Sequence, residues 1–298
     1  MQNRFAQREW LKMRIIILIL FCLYLSLMNG KGVEPTREDH PILRAATPPV
    51  IDGKLNDDCW QRAKPISVVY PHGGTGKAVD PATMTAWVSW DADYLYLAYE
   101  VTDTDLVALG TGRESGPPNN RRPQCVEYAP AKNLDLAEFF ICLGSNQFFW
   151  EIHHNAANHL NTLWIQIPPP GKLAEIQNPV YKDVTFHRNR YLPDQGANTL
   201  KRAVRLKNKP NGQPSTVNQP GDRDSGYFGE MRLPWAGLMF DRTPFKGTHQ
   251  LTKLELSILA VNLNGNKGQA KYHSSGSNLP HLMYHFTVPK WPVYKLVD

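Results

Sequence analysis

The chain has 298 residues and a formal net charge of +6, with 42% hydrophobic residues, 24 prolines and 21 glycines. That length suits one large β domain or two ordinary domains. Residues 1–30 account for +3 of the charge. The other basic residues form no cluster interleaved with aromatic residues, so we expect no nucleic-acid partner.

Residues 1–30 predict a signal peptide. A basic stretch with a single acid precedes the apolar residues 15–28, which are too few to span a membrane comfortably. Cleavage is expected near Gly30 or Gly32, and residues 31–41 have the composition of a tether. We therefore expect a secreted or periplasmic protein without a transmembrane domain after cleavage. An uncleaved N-terminal anchor is the alternative.

Strand candidates follow the tether with almost no helical periodicity. Glycine, proline, aspartate and asparagine separate them, as at turns. They are residues 66–70, 84–90, 94–102, 137–143, 148–154, 160–167, 200–207, 227–233, 254–263 and 282–288. Residues 91–93 form a tight hairpin connection between the second and third candidates.

This pattern predicts an all-β fold, a single β-sandwich of two antiparallel sheets with immunoglobulin-like or jelly-roll-like layout. Residues 168–171 and 208–226 break the strand pattern. Both are interpreted as long loops inside one domain, because neither half of the chain has enough strands to close a sandwich. The domain is expected to span residues 42–298, and its oligomeric state is left open.

Residues 137–153 predict a hairpin whose two faces differ in chemistry. If Leu143 lies opposite Phe148, one face is wholly apolar and the other is mixed, and a slip of one residue would scatter the polar side chains over both faces. The apolar face collects Phe139, Ile141, Leu143, Phe148, Trp150 and Ile152. The mixed face collects Glu138, Phe140, Cys142, Phe149, Glu151 and His153. Two acids, an imidazole and two phenyl rings suggest a ligand surface.

Three cysteines remain beyond the predicted signal peptide: Cys59, Cys125 and Cys142. An odd number allows at most one internal disulfide. The chain contains no Cys-x-x-Cys pair, and a domain of this size does not need disulfides to fold. Buried free thiols are the favoured interpretation, and a Cys125–Cys142 bond stays open.

Four segments resemble carbohydrate-binding module family 9, within the wider group of DOMON-like β-sandwiches. The first begins Pro-Val-Ile-Asp-Gly-Lys-Leu and continues to Asp58 and Trp60, and the last ends in Gly-Glu-Met-Arg-Leu-Pro-Trp. The four segments are residues 49–60, 86–103, 137–153 and 222–235. The resemblance implies a non-catalytic module that binds a carbohydrate or polysaccharide.

The resemblance also implies where the sugar binds. Glu138 matches the acid on the family's sugar-binding face, and Glu151 and His153 fall on the neighbouring strand. Apolar faces for the sugar are expected from Phe140, Phe149 or Trp164. Family members with a mapped site hold a terminal sugar between two tryptophans, but this chain has neither: it reads lysine near position 132 and no aromatic residue in 275–280.

Three other functions are compatible with parts of the sequence. Glu138 and Glu151 could be the paired carboxylates of a glycosidase, or the chain could accompany a glycoside hydrolase of xylan breakdown. No flanking sequence marks an acid or a nucleophile, so no catalytic residue is assigned. A haem-binding redox domain would use His153 with Met231 or Met283.

Several aspartates and histidines could bind a metal ion. Asp91, Asp93, Asp103 and Asp105 could hold a structural calcium ion, although such acids are more often turn formers. His153 and its neighbour His154 should point to opposite faces of a strand, so they would not share one zinc ion. No metal ligand is assigned.

Overall fold

The computed structural model describes ten stretches of the chain. They are residues 39–71, 83–108, 135–144, 148–166, 186–188, 200–219, 221–239, 251–262, 271–275 and 291–298. All of them lie within one compact unit that spans Glu38–Asp298. The predicted signal peptide lies outside the described residues. No helix in the described stretches is long and apolar enough to cross a membrane.

Within these stretches the chain forms a β-sandwich of two sheets, as predicted. The large sheet has the strand order β1-β14-β12-β6-β7-β8-β9, with β13 on β12 and β3 on β13. Its strands are β1 (Asp39–Leu43), β3 (Tyr70–Pro71), β6 (Leu136–Cys142), β7 (Phe148–His154), β8 (Leu160–Gln166), β9 (Phe186–Arg188), β12 (Lys253–Asn262), β13 (Lys271–Ser274) and β14 (Val293–Val297).

The small sheet has the order β10-β11-β5-β4-β2. Its strands are β2 (Ile66–Val68), β4 (Met84–Trp90), β5 (Tyr94–Val101), β10 (Lys201–Leu206) and β11 (Tyr227–Pro234). Two short helices complete the described elements, α1 (Asp58–Arg62) and α2 (Trp235–Leu238). Nine of the ten predicted strands are confirmed, and the tenth, residues 282–288, lies outside the described stretches.

The first strand begins earlier than the predicted domain boundary. β1 pairs in parallel with β14, with Asp39 opposite Val293 and Leu43 opposite Val297. Residues 39–41 therefore belong to the sheet and not to the tether. Pro41 is tolerated because β1 is an edge strand, where an amide hydrogen can be missing. The pair is also an exception to the predicted antiparallel arrangement.

One hydrophobic core fills the space between the sheets. The apolar face of the β6–β7 hairpin contributes Phe139 and Ile152, and β5 and β11 of the small sheet contribute Leu97 and Met231. All four side chains are fully buried. The alternation of the strands thus leaves each sheet one outer face, and these two outer faces lie on opposite sides of the sandwich.

The segment around α1 covers part of the outer face of the small sheet, over β4 and β5. Cys59 and Trp60 of α1 pack against Tyr96 and Ala98 of β5. Glu230 of β11 holds this segment in place, since it accepts hydrogen bonds from the backbone amides of Asp52 (2.9 Å) and Gly53 (2.6 Å). Burial raises the pKa of Glu230, and these hydrogen bonds oppose the increase.

The turn between β4 and β5 is held by Asp91. Its carboxylate accepts hydrogen bonds from the amides of Asp93 and Tyr94, both at 2.8 Å, and from the Tyr96 hydroxyl at 2.5 Å. The Trp235 indole donates to the Asp91 carbonyl oxygen at 2.9 Å, which joins α2 to this turn. The predicted hairpin connection is confirmed. The acid acts as a turn former.

A second carboxylate organises the predicted loop 208–226. Asp224 accepts hydrogen bonds from the amides of Leu106 (2.9 Å) and Thr216 (2.8 Å). Its own amide donates to the carbonyl oxygen of Thr104 at 2.9 Å. The loop is therefore fastened to the segment that follows β5.

Cys59 and Cys142 are buried free thiols. Burial is the main cause that raises the pKa of the Cys59 thiol to about 12, and the nearby carboxylates of Asp57 and Glu230 raise it further. Cys125 lies outside the described residues. The expectation of buried free thiols is confirmed for these two cysteines.

Candidate functional site

The β6–β7 hairpin has the predicted register. Glu138 lies opposite His153, and Phe140 lies opposite Glu151. Phe139 and Ile152 pair on the other face, which belongs to the core. The register is what the two-faced pattern favours, because a slip of one residue would bury carboxylates among the core side chains.

We call the outer side of this hairpin the Glu138 face, defined by Glu138, Phe140, Phe149, Glu151 and His153. Its polar side chains are not broadly exposed, since Glu138 retains 5% of its accessible surface, Glu151 7% and His153 1%. The expectation of a ligand surface therefore needs refinement. A ligand that contacts these three side chains must enter a nearly closed site.

A buried ion-pair geometry lies at the centre of the Glu138 face. Nε2 of His153 lies 2.8 Å from Oε1 of Glu151. The two residues are two positions apart on β7, so their side chains emerge on the same side of the strand. Because Glu138 is directly across the ladder from His153, the structure brings two carboxylates and one imidazole together.

The two phenyl rings of the Glu138 face belong to a buried aromatic cluster. The ring centroids of Phe140 and Phe149 are 6.2 Å apart. Trp291 packs edge-on against both, at 5.9 Å from Phe140 and 5.4 Å from Phe149. Sequence reasoning missed Trp291, because no local pattern connects it with a hairpin 140 positions earlier.

Trp164 does not share the row of the candidate ligands. It pairs with Trp150 on β7, whose side chain is part of the core. The positions of β8 that lie beside Glu151 and His153 are Leu163 and Asn161. In the ladder, position 164 is therefore not directly beside Glu151 or His153, and the suggestion that Trp164 offers an apolar face to a sugar stays a prediction.

His154 points away from the Glu138 face, as predicted. Its Nδ1 lies 2.7 Å from the hydroxyl of Tyr99 in the small sheet, and its Nε2 lies 2.8 Å from Oδ1 of Asn158. Full burial lowers the pKa of His154 to about 3, although the hydrogen bond with Asn158 raises it. The ring is therefore neutral at physiological pH. Its proton sits on Nε2, because the amide oxygen of Asn158 can only accept.

The residues weighed for haem do not meet. Met231 is buried in the core between the sheets, whereas His153 lies on the Glu138 face. The large sheet itself separates the two side chains. Met283 lies outside the described residues.

Two of the four acids named for calcium, Asp91 and Asp103, accept hydrogen bonds from neighbouring residues. Asp91 holds its turn, and Oδ1 of Asp103 accepts a hydrogen bond from the amide of Asp105 at 3.0 Å. In the described part of the chain, no group of three or more histidine, cysteine, aspartate or glutamate side chains is arranged to hold a metal ion.

Part of the chain matches the model of a known protein family. Residues 51–113 match the family model described as carbohydrate family 9 binding domain-like. The predicted family resemblance is confirmed. The matched stretch contains the α1 segment and the β4–β5 hairpin, whereas the Glu138 face lies outside it.

The chain is also similar to a curated enzyme and to several solved structures. Over 59 residues the chain is 44% identical to endo-1,4-beta-xylanase A of Thermoanaerobacterium saccharolyticum, which is 20% of this chain and 5% of that enzyme. A family 9 carbohydrate-binding module of Caldicellulosiruptor kristjanssonii in complex with cellotriose aligns with 14% identity and a TM-score of 0.49, over 87% of this chain and 93% of its own.

A candidate carbohydrate-binding protein from Bacteroides uniformis aligns over 87% of this chain and 98% of its own, with a TM-score of 0.50 and 11% identity. At this identity the likeness concerns the fold. It agrees with the β-sandwich described above.

Proposed function

We propose that the chain is a non-catalytic module that binds carbohydrate at the Glu138 face. The family match over residues 51–113 supports the carbohydrate class. The observation that carries the location is the Glu151–His153 pair, held at 2.8 Å with Glu138 across the ladder. Such groups supply the acceptors and donors that sugar hydroxyls require.

The pair is suited to hydroxyl recognition because its geometry is set before a ligand arrives. The imidazole of His153 and the carboxylate of Glu151 hold one another on the same strand. Preorganised side chains lose little conformational entropy when a ligand binds. Glu138 would then accept a hydrogen bond from a second hydroxyl of the same sugar.

Phe140 and Phe149 would form the apolar floor of the site. Sugars present C–H faces that pack on aromatic rings, and sites of this kind combine an apolar lining with a few polar groups. Trp291 keeps both rings in place from the side. The low exposure of Glu138 and Glu151 favours a chain end or a single sugar over the middle of a long chain.

The proposed location outside the cytoplasm, by secretion or export to the periplasm, depends on residues 1–30. Their basic start and apolar stretch are typical of a signal peptide. Mass spectrometry of the exported protein tests this, and cleavage near Gly30 or Gly32 is expected. A mature protein that keeps residue 1 would contradict it.

Calorimetric titration with glucose, xylose, cellotriose and xylotriose tests the binding site. Glu138→Gln and Glu151→Gln keep the side-chain size and remove the charge, so each should weaken the affinity for a sugar that the wild type binds by about tenfold or more. Asp58→Asn is the matched control, since this acid lies on α1 and its side chain is 73% exposed.

Unchanged affinity in both glutamate variants, with unchanged melting temperature, would overturn the proposed site. Release of reducing sugar from xylan by the wild-type protein would overturn the proposal that the module is non-catalytic. Neither assay depends on the other.

A further inference from the structure

The outer face of the small sheet carries an unusual set of cations. Lys201 and Arg205 on β10 lie across from Arg232 and Phe228 on β11. Lys207 follows at the end of β10 and lies on the same side, over the ring of Phe228. We call these four positively charged residues, Lys201, Arg205, Lys207 and Arg232, the basic strip.

Alternation along β10 places its cations on one side. Residues 201, 203 and 205 share the outer face with their partners on β11, one of which is the buried Glu230 that holds the α1 segment. Lys201 and Arg205 are exposed. Within the described stretches neither forms an ion pair, whereas Lys207 contacts Glu100 at 2.7 Å.

The acids near the strip do not cancel its charge. Glu100 is paired with Lys207, and Asp52 is paired with Lys54 at 2.8 Å. The hydrogen bond from Lys54 lowers the pKa of Asp52 most, and the positive charge of Arg205 lowers it further. These two ion pairs therefore leave the positive charges of Lys201 and Arg205 on the surface of the strip.

The aromatic rings of this face are already covered by cations. The guanidinium carbon of Arg232 lies 4.4 Å from the ring centroid of Tyr94, and Nζ of Lys207 lies 5.3 Å from that of Phe228. A neutral sugar could not stack on these faces without displacing the cations. Recognition here would be by charge.

We propose that the basic strip is a second binding surface, one that takes an acidic polysaccharide carrying carboxylate or sulfate groups. Lys201 and Arg205 are four residues apart on an extended strand, about 13 Å, so they would contact separate acidic groups along one polymer. A nucleic acid fits less well, because single-stranded binding surfaces offer open aromatic faces.

The choice of a polysaccharide rests on the carbohydrate-binding function proposed above, whereas the position of the strip does not. β10 is an edge strand, and charges on edges also prevent sheet-to-sheet aggregation. Edge protection would work with charges of either sign. It requires neither cations over both rings nor exposed charges of one sign along β10.

The test is titration with polygalacturonate, a carboxylated polysaccharide, at salt concentrations between about 50 and 200 mM. Binding should weaken as salt increases. Lys201→Gln with Arg205→Gln should lower the affinity on the order of tenfold and flatten the salt dependence. The matched control is Lys253→Gln with Lys295→Gln, which removes the same charge from exposed positions of the large sheet.

Three results would overturn the inference: no binding by the wild type at low salt, an equal loss in both double variants, or equally tight binding of duplex DNA. The variant with both Lys201→Gln and Arg205→Gln also separates it from the proposed function, because these residues lie on the other sheet from the Glu138 face. That variant should bind neutral sugars like the wild type, so the strip can stand even if the neutral-sugar titrations fail, and the reverse also holds.

Discussion

The indole Nε1 of Trp60 donates a hydrogen bond of 2.8 Å to Oε1 of Glu230, 170 positions later in the chain. The other oxygen of the same carboxylate accepts from the backbone amides of Asp52 and Gly53. Two of the segments that carry the family resemblance are therefore one structural device. We call these contacts of Glu230 the clasp, because they fasten the α1 segment to β11.

Glu230→Gln should destabilise the fold by about 2 to 4 kcal/mol, because the amide leaves only one oxygen for three donors and a buried donor without a partner is costly. Urea unfolding monitored by tryptophan fluorescence measures the free energy of unfolding. Glu100→Gln on β5 is the control, since Glu100 forms a partly exposed ion pair with Lys207 and should cost less than about 1 kcal/mol. Equal losses in the two variants would contradict the clasp.

Gly226, directly before β11, has a conformation that other residues rarely adopt, with φ at +105°. A β-carbon there would overlap the carbonyl oxygen of Val101 and lie 3.1 Å from the amide nitrogen of Asp103. Gly226→Ala should therefore lower the free energy of unfolding by more than about 2 kcal/mol.

Gly212 offers the matched control for that prediction. Its φ is +82°, but a β-carbon would meet nothing within 4 Å. Gly212→Ala should cost only the backbone strain, about 1 to 2 kcal/mol. If the two alanine variants are equally stable in urea, the contact of Gly226 with Val101 is not what constrains this position.

The fold of the hairpin could be predicted further than its chemistry. Alternating apolar and polar residues determine the pairing of Glu138 with His153, because a slip would bury charge in the core. Whether the polar side is open cannot be read from the same pattern. It depends on distant residues such as Trp291, which the chain brings to Phe149 only when it folds.

Long-range pairing explains the other differences. β1 contains Pro41, and its pattern is too weak to predict a strand, yet β14 provides a parallel partner for it. Just beyond the two strands, Arg44 contacts Asp298, 254 positions later in the chain. The clasp shows the opposite case. Trp60 and Glu230 were recognised as motif residues, but their physical role became clear only from the hydrogen bond between them.

His154 predicts a loss of stability in acid. The pKa is 6.5 in an unfolded chain and about 3 in the folded protein, so the unfolded state takes up the proton first as the pH falls. The contribution of the neutral ring is complete above pH 6.5 and is lost between there and pH 3, at about 1.4 kcal/mol per pH unit.

The measurement compares wild type with His154→Gln, which cannot titrate. At neutral pH the variant should be less stable, because it disturbs the contacts with Tyr99 and Asn158. The difference between the two proteins should shrink as the pH falls from 6.5 towards 4. A difference that stays constant over this range would show that His154 is not the titrating group.

The Cys59 thiol should be unreactive in the folded protein. Its pKa of about 12 leaves almost no thiolate at pH 8, and the residue is buried beside Trp60. Peptide mapping after treatment with iodoacetamide should find Cys59 unmodified without denaturant and modified in urea. Modification of the native protein at the rate of an exposed thiol would contradict the packing of the α1 segment.

Trp291 should support the aromatic floor of the Glu138 face. It is fully buried and touches Phe140 and Phe149 edge-on, so Trp291→Ala should cost about 3 to 5 kcal/mol of unfolding free energy. Trp291→Phe keeps an aromatic edge and should cost clearly less. Near-ultraviolet circular dichroism of the folded variants checks the packing directly, because the ordered ring contacts give the signal. If the alanine and phenylalanine variants lose the same stability, the ring contacts are not what holds Phe140 and Phe149 beneath the proposed sugar site.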